Sequence, residues 1–326
     1  MVAVSPRVYL DPWPAEYESA LGLGESDEAP PPVDLSVETQ RWAPVRPSPD
    51  WAPEAIVFVD GVRRAEQRLF VEDAEGATHP GLLGSFAVGA AESARGGRIL
   101  DCLVDRLSCL AGGRSAPPVE AAVGAGKLFF RPETAPEDAP GAPLQALQTA
   151  MRRAEAALAR RLAGAPGRLV LLDGPLGYLE PADEPVLGYV KRLLRDYLDP
   201  EAARLLPRLA VGERTPLFLI KGAREARYSF YLRVGPGGPA DHPLAGVVRV
   251  ETSARRPLEE VRAAADAATT VLPRFASDPV RDARAPQNLY PVGALESRLQ
   301  HLLGDAELIR RAIRSALHSR GPEAAA

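Results

Sequence analysis

The sequence predicts an α/β domain built around a mixed sheet, and three observations predict it. Two apolar runs, Ala55 to Asp60 and Arg168 to Asp173, each close on Asp-Gly, as buried strands ending in a turn do. Between them Leu144, Leu147, Met151, Ala154 and Leu158 recur at the spacing of one helix face. After the second run the pattern keeps alternating between strand and helix.

Taken in order, the first strand ends at Asp60. Apolar segments from Gln67 to Val71 and from Gly81 to Val88 follow, with turn residues between them, so the domain opens as three strands in a meander. Residues 98–110 fit a helix or a strand. A Pro/Glu/Ala loop separates Pro132 from Pro143, and the helix after it ends before Gly164 and Gly167. Beyond the second buried strand comes a short Gly/Pro-rich turn, and Pro185 to Leu198 reads as a helix carrying Lys191. Strands at about 215–220, 227–234 and 246–251 and helices at about 257–273, 292–303 and 305–319 complete the pattern. No fixed-period repeat is present, which excludes a solenoid or a propeller.

Composition narrows the class further. The 326 residues are 46% hydrophobic and 25% charged, which excludes a wholly disordered chain and a coiled coil. No apolar stretch is long enough to span a bilayer as a helix. The opening MVAVSPRVYLDPWP lacks a basic segment followed by an apolar one, so no secretory signal is read there and the cytoplasm is the expected location. Residues 1–50 hold prolines in clusters (Pro30 to Pro32, Pro44, Pro47, Pro49) and read as an extension before a domain at 51–326. Within it, Trp13, Tyr17, Leu21 and Leu23 are expected to form a short docking face. A net charge of −4 excludes a generally basic nucleic-acid binder, so any polyanion site must be local. Cys102 and Cys109, the only cysteines, match neither a zinc spacing nor a disulfide framework and are expected as small buried hydrophobes.

Familiar motifs fail. Gly124-Ala-Gly-Lys127 imitates a phosphate loop, but Ala121 stands where the first glycine belongs and Leu128 where a magnesium-binding hydroxyl belongs. There is no G-x-S-x-G, no H-E-x-x-H and no G-x-G-x-x-G after a strand, which disfavours hydrolase, zincin and Rossmann chemistry. The four histidines are scattered.

The acids carry more. Asp60 and Asp173 each stand at the end of a buried run, where α/β sheets place their sites. Either Asp-Gly alone is simply a turn. Glu155 is a third acid, on or beside the apolar face of the helix that precedes the second run; alone, it is a solvated helix carboxylate. Carboxylates about 4 Å apart repel by ~4 kcal/mol at an effective dielectric of about 20, so convergence of the three implies a divalent cation. Oxygen donors select magnesium or manganese over zinc, and two such ions promote phosphodiester cleavage.

Strand–Asp, helix–Glu, strand–Asp after a three-strand meander is similar to the RNase H-like nucleases, and the chain more specifically resembles the NurA nuclease family. The matching segments, in order, are Phe58-Val-Asp60-Gly61, Leu172-Asp173-Gly174-Pro175-Leu176, Leu187-Gly-Tyr-Val-Lys191-Arg192, Tyr228-Ser-Phe-Tyr-Leu-Arg233, Val248-Arg-Val-Glu251 and Asn288-Leu-Tyr290-Pro291. The resemblance implies a manganese-dependent (or magnesium-dependent) DNA nuclease with an RNase H-like mixed sheet flanked by helices. It also implies a homodimer docked on a HerA-type hexameric ATPase that feeds it duplex DNA during end processing and repair. By motif position, Asp60, Glu155 and Asp173 are the implied metal ligands and Tyr290 a late active-site residue. Where many members carry a histidine eight residues after that tyrosine, this chain has Arg298, with Glu296 and His301 on the same expected helix. Arg298 is also the argument for an alternative, a catalytically reduced adaptor on the ATPase ring.

Lys191 is a candidate for neutralising the scissile phosphate, or a helix lysine reaching for solvent. Asp278 and Asp282 are further candidates to complete the site. Arg63, Arg64, Arg227, Arg233 and Arg249 are candidates for a phosphate track.

Overall fold

A computed structural model of the protein describes residues 31–48, 51–94, 96–177, 185–193, 196–222, 225–238 and 241–319. Trp13, Tyr17, Leu21 and Leu23 lie outside the described residues. In chain order the strands are β1 (Val33–Asp34), β2 (Ala55–Glu72), β3 (Thr78–Ser93), β4 (Gly97–Leu110), β5 (Val119–Val123), β6 (Gly126–Thr134), β7 (Arg168–Asp173), β8 (Val186–Val190), β9 (Phe218–Lys221), β10 (Ala226–Arg233) and β11 (Val247–Ser253). The helices are α1 (Ala142–Ala163), α2 (Pro200–Ala203), α3 (Leu258–Val271), α4 (Tyr290–Leu302) and α5 (Ala306–Ser319). Among the described residues the strands form a large mixed sheet flanked by helices, the RNase H-like α/β class that the sequence predicts.

Two compact units are distinguished: Met1–Phe58, Glu92–Gly97 and Ala159–Gly293 make the first, and Val59–Ala91, Arg98–Leu158 and Ala294–Ala326 the second. In the first the strand order is β1-β9-β10-β11-β8-β7-β2, and in the second β2-β3-β4-β6-β5. β7 and β8 run parallel, Val170 opposite Val186 and Asp173 opposite Tyr189, whereas β8, β11, β10, β9 and β1 pair antiparallel.

In the first unit the core lies on one face of the sheet. Ile56 and Phe58 of β2, Leu169 and Leu171 of β7, Leu187 and Tyr189 of β8 and Phe230 and Leu232 of β10 pack there with Val261, Ala265 and Ala268 of α3 and Val292 of α4. The period-2 alternation of side chains puts the next residue in each series, Asp60, Asp173 and Lys191, on that same face. The opposite face carries Phe218, Ile220 and Tyr231 against Tyr197, Leu205 and Leu209.

In the second unit α1 and α4 cover opposite faces. A Cβ placed on Gly84 would meet Leu147 of α1, and one on Gly61 would meet Met151 and Glu155 of α1. Val62, Ala87 and Ala91 instead pack with Leu295, Leu299 and Leu303 at α4 and just beyond it.

Two sequence expectations need correction. β2 does not end in a turn at Asp60; it runs through Gly61 to Glu72, and Gln67 to Val71 is its second half. Gly61 is a strand glycine against which side chains of α1 pack closely, a role that looks identical to a turn in sequence. The three-strand meander is therefore β2, β3 and β4, with residues 98–110 a strand. Second, residues 186–190 form β8 and not a helix: all five are buried, so they show a continuous apolar run that carries no period of its own. Lys191 follows that strand directly. Gly124 to Lys127, set aside in sequence as a phosphate loop, includes the turn of the β5–β6 hairpin, with Val123 opposite Gly126 and Gly124 at φ +56°.

Residues 33–45 pair within the first unit. β1 pairs with β9, Val45 bridges to Arg214, and the Trp42 indole N–H donates to the carbonyl of Ala202 at 3.0 Å. Cys109 is buried, and burial, with the charge of Glu133 behind it, pushes its thiol up to about 12.

Arg214 is fully buried and joins two distant segments: its guanidinium donates to Glu38 Oε1 at 2.6 Å and Oε2 at 2.8 Å, and to Asp266 Oδ1 at 2.7 and 2.8 Å. Burial raises the Glu38 carboxyl, but the Arg214 hydrogen bonds and charge and the Leu217 N–H outweigh it and hold the group below its ordinary value. A depressed folded pKa contributes stability above the ordinary glutamate pKa, and that stability is lost as pH falls through the folded value. Arg214→Met is expected to cost about 3 kcal/mol, because it leaves two carboxylates without their cation. Urea titration of both proteins at neutral pH checks this, and the difference between them shrinks in acid.

Candidate functional site

Asp173 is the last residue of β7, and the chain after it is held flat. Gly188 on β8 leaves room for that turn, since a Cβ there would lie 2.8 Å from Leu176 Cγ and 2.9 Å from the Gly174 carbonyl oxygen. Gly174 itself sits at φ +114°, a conformation few other residues adopt. The Leu176 N–H donates to Glu251 Oε1 at 2.8 Å, and the same oxygen accepts from Arg227 at 2.9 Å. Glu251, fully buried on β11, thus pins the residues that follow Asp173 from the far face of the sheet.

Lys191 reaches back from the end of β8. Its Nζ donates to Asp173 Oδ2 at 2.6 Å and to Asn288 Oδ1 at 2.7 Å, so a charge-assisted pair stands at the carboxyl end of two parallel strands. Beside it, the Tyr189 hydroxyl donates to the Gln287 carbonyl at 2.8 Å. Burial first, and then the charge of Asp173, push that phenol well above its ordinary value, so it remains a donor.

Asp60 is buried on β2, between two residues with opposite neighbours: Phe58 in the core under α3, and Gly61 against α1. In the second unit Asp60 and Glu296 each offer one carboxylate oxygen, and the two atoms lie within 4.8 Å of one another. At that separation the ionised pair repels by about 3.5 kcal/mol at an effective dielectric of ~20. Hard carboxylate oxygens match magnesium or manganese.

Glu155 is not part of that pair. It is fully buried on α1, its Oε2 accepts from Arg152 at 2.9 Å, and its Oε1 would lie 2.5 Å from a Cβ on Gly61. Because neighbouring residues of a strand point to opposite faces, Glu155 approaches β2 from the face opposite the Asp60 side chain. Glu296 lies on α4, which packs on the Asp60 face beside Val62.

Tyr290 is the first residue of α4, exposed, and about 9 Å along the helix axis from Glu296. Asp282 bonds Asn288, and Asp278 accepts from the N–H of Val280 at 2.8 Å. All five candidate phosphate arginines make internal contacts. Arg64 binds Glu66 and the carbonyls of Leu303 and Gly304, Arg227 binds Glu251, Arg233 binds the carbonyls of Ala245 and Pro243, and Arg249 stacks 4.3 Å from the Tyr197 ring centroid. Arg63 bonds Gln148 and lies near Arg152.

A family model of the NurA domain matches residues 120–296, more than half of the chain. The chain belongs to the NurA family. No curated protein matches it. NurA proteins are nucleases, so nuclease activity is the family's general property. The NurA match takes in Glu155, Asp173, Lys191, Tyr290 and Glu296, and it begins after β2, so Asp60 lies outside it. No helix among the described residues is long and apolar enough to cross a membrane.

Within the NurA domain, reasoning from sequence quoted Gly188, Glu251 and Asn288 inside matching segments and gave none of them a role. No local signal marks them. A glycine, a strand glutamate and a loop asparagine gain their meaning only from the register that sets Gly188 opposite both Leu172 and Glu251.

Proposed function

We propose that this NurA-family chain is a divalent-metal-dependent deoxyribonuclease that hydrolyses phosphodiesters. What supports the reading is the NurA match together with two arrangements, the Asp60 and Glu296 carboxylates of the second unit and the Asp173–Lys191 pair of the first. Asp60, Asp173 and Glu296 are the residues that would hold manganese or magnesium. When bound, such a cation lowers the pKa of water and offsets charge on the phosphate and the leaving oxygen.

The chain's own groups do the rest. Lys191, paired with Asp173, adds positive charge where a pentacovalent phosphate would gain negative charge. Lys191 is buried and Asp173 partly buried, and the lowered local dielectric strengthens their pair. Tyr290, exposed at the start of α4, is placed to donate its hydroxyl to the DNA backbone one step away from the acids. Glu155 braces Gly61, and through it β2, from the α1 side.

A net charge of −4 gives little sequence-independent attraction for DNA, so the substrate must be delivered. A homodimer working on a HerA-type hexameric ATPase in DNA end processing, in the cytoplasm, fits that need. Arg298, standing where many members have histidine, supports the adaptor reading; Glu296 two residues earlier on the same helix supports the enzyme.

The test is cleavage of linear duplex DNA by purified protein with manganese, with magnesium and with chelator, each with and without the ATPase. Cleavage is expected with manganese and is expected to rise with the ATPase. A protein that binds the ATPase and cleaves nothing under any of these conditions is the adaptor.

A further inference from the structure

We propose that Asn288 and Asp282 are positioning residues that hold the Lys191 ammonium on Asp173. The inference rests on the nuclease reading and adds to it the groups that aim its lysine.

Asn288 is fully buried immediately before α4, between a group that only donates and a group that only accepts. Its Oδ1 accepts from Lys191 Nζ at 2.7 Å, and its Nδ2 donates to Asp282 Oδ2 at 2.5 Å. An ammonium has no acceptor and a carboxylate has no donor, so the amide satisfies both neighbours in one orientation alone. Asp282 therefore fixes the amide, and the amide then offers its oxygen to the lysine.

The relay is anchored at both ends. Asp282 Oδ1 accepts from the Arg284 N–H at 2.8 Å. Burial alone would raise the Asp282 carboxyl; the Asn288 bond, the Arg284 N–H and the Arg284 charge outweigh it and hold it below the ordinary value. Asn288's own backbone is fixed as well, its N–H donating to Arg284 O at 3.0 Å and its carbonyl accepting from the Ser277 N–H at 2.9 Å. The Tyr189 hydroxyl holds the adjacent Gln287 carbonyl. A lysine on a four-carbon stem has wide rotamer freedom, and here its head is held by two fixed oxygens, Asp173 Oδ2 at 2.6 Å and Asn288 Oδ1.

Only three lysines occur in the sequence, and Lys127 and Lys221 are exposed, so amine labelling reads Lys191 against two internal references. The full-length protein and its Asp282→Asn, Asn288→Ala, Lys191→Ala and Lys191→Ala/Asn288→Ala variants are treated with limiting acetic anhydride and analysed by peptide mass spectrometry. Cleavage is measured in parallel with manganese. Asp282→Asn is isosteric and lets the amide turn its NH2 toward the lysine, so it serves where Asn288→Ala fails to fold.

In both relay variants Lys191 acetylation is expected to rise about ten-fold against Lys127, the worth of one charge-assisted hydrogen bond, with Lys221 unchanged. Turnover is expected to fall about 10- to 100-fold, the usual effect of losing a group that orients a site residue, with KM nearly unchanged. In the Lys191→Ala background, removing Asn288 is expected to cost nothing more. Unchanged labelling, unchanged turnover, or an additive loss in the double variant each overturns the proposal. Absence of cleavage by the unsubstituted protein overturns the nuclease reading instead, and the labelling ratio still decides whether Asp282 and Asn288 hold Lys191.

Discussion

Asp173→Asn is expected to lower manganese-dependent cleavage about a thousand-fold while DNA binding persists. The substitution keeps shape and removes one charge from the acids proposed to hold the cation. A bound cation contributes several kcal/mol to the transition state, and ~4 kcal/mol is a factor of about a thousand in rate. Binding depends on phosphate contacts elsewhere and loses a repulsive charge, so it holds or tightens. The ion pair with Lys191 is lost too, so part of the fall belongs to the lysine. Isothermal titration with manganese separates the shares: metal affinity falls in Asp173→Asn and holds in Lys191→Ala. Cleavage by Asp173→Asn at anything near the unsubstituted rate would remove the two-metal reading.

The sequence carried the sheet's heart because its signals were local. The β7 run, the helical spacing of α1 and the final pair α4 and α5 each rest on a pattern within 6–20 residues, and each appears where the pattern puts it. What misled was punctuation. Asp-Gly closes a strand at Asp173-Gly174, where φ is +114°, yet the same dipeptide at Asp60-Gly61 lies inside an 18-residue strand. The difference is long-range: Gly61 is glycine because Glu155 and Met151 of α1 press on it. β8 was illegible for a related reason, since a strand buried on both faces has no alternation to read.

The acids divide along the same line. Asp60 and Asp173 each follow a buried run whose alternation fixes the face. Glu155 is singled out in sequence by its helical phase on an apolar face, and Glu296 only as one of several residues that stand near the position of a missing histidine. The deciding fact is which face of the sheet each helix covers, and that is set by residues such as Gly84 and Val62 far away in the chain.

Glu296→Gln and Glu155→Gln are therefore expected to fail in different ways. Glu296 is partly exposed, so its substitution should leave thermal stability nearly unchanged and lower cleavage about a hundred-fold, with weaker manganese binding. Glu155 is fully buried and paired with Arg152 at 2.9 Å, so Glu155→Gln should instead lower stability by about 1–3 kcal/mol, the cost of leaving a buried charged donor poorly matched. Gly61→Ala is the companion test. Its Cβ would sit 2.5 Å from Glu155 Oε1 and 3.0 Å from Met151 Cγ, so α1 or β2 must shift, at ~1–3 kcal/mol for overpacking. Differential scanning calorimetry and manganese titration on the three variants distinguish a ligand from a brace. If Glu155→Gln keeps its melting temperature and loses both manganese affinity and cleavage, while Glu296→Gln cleaves normally, then Asp60, Glu155 and Asp173 are the metal-holding acids and α4 supplies none.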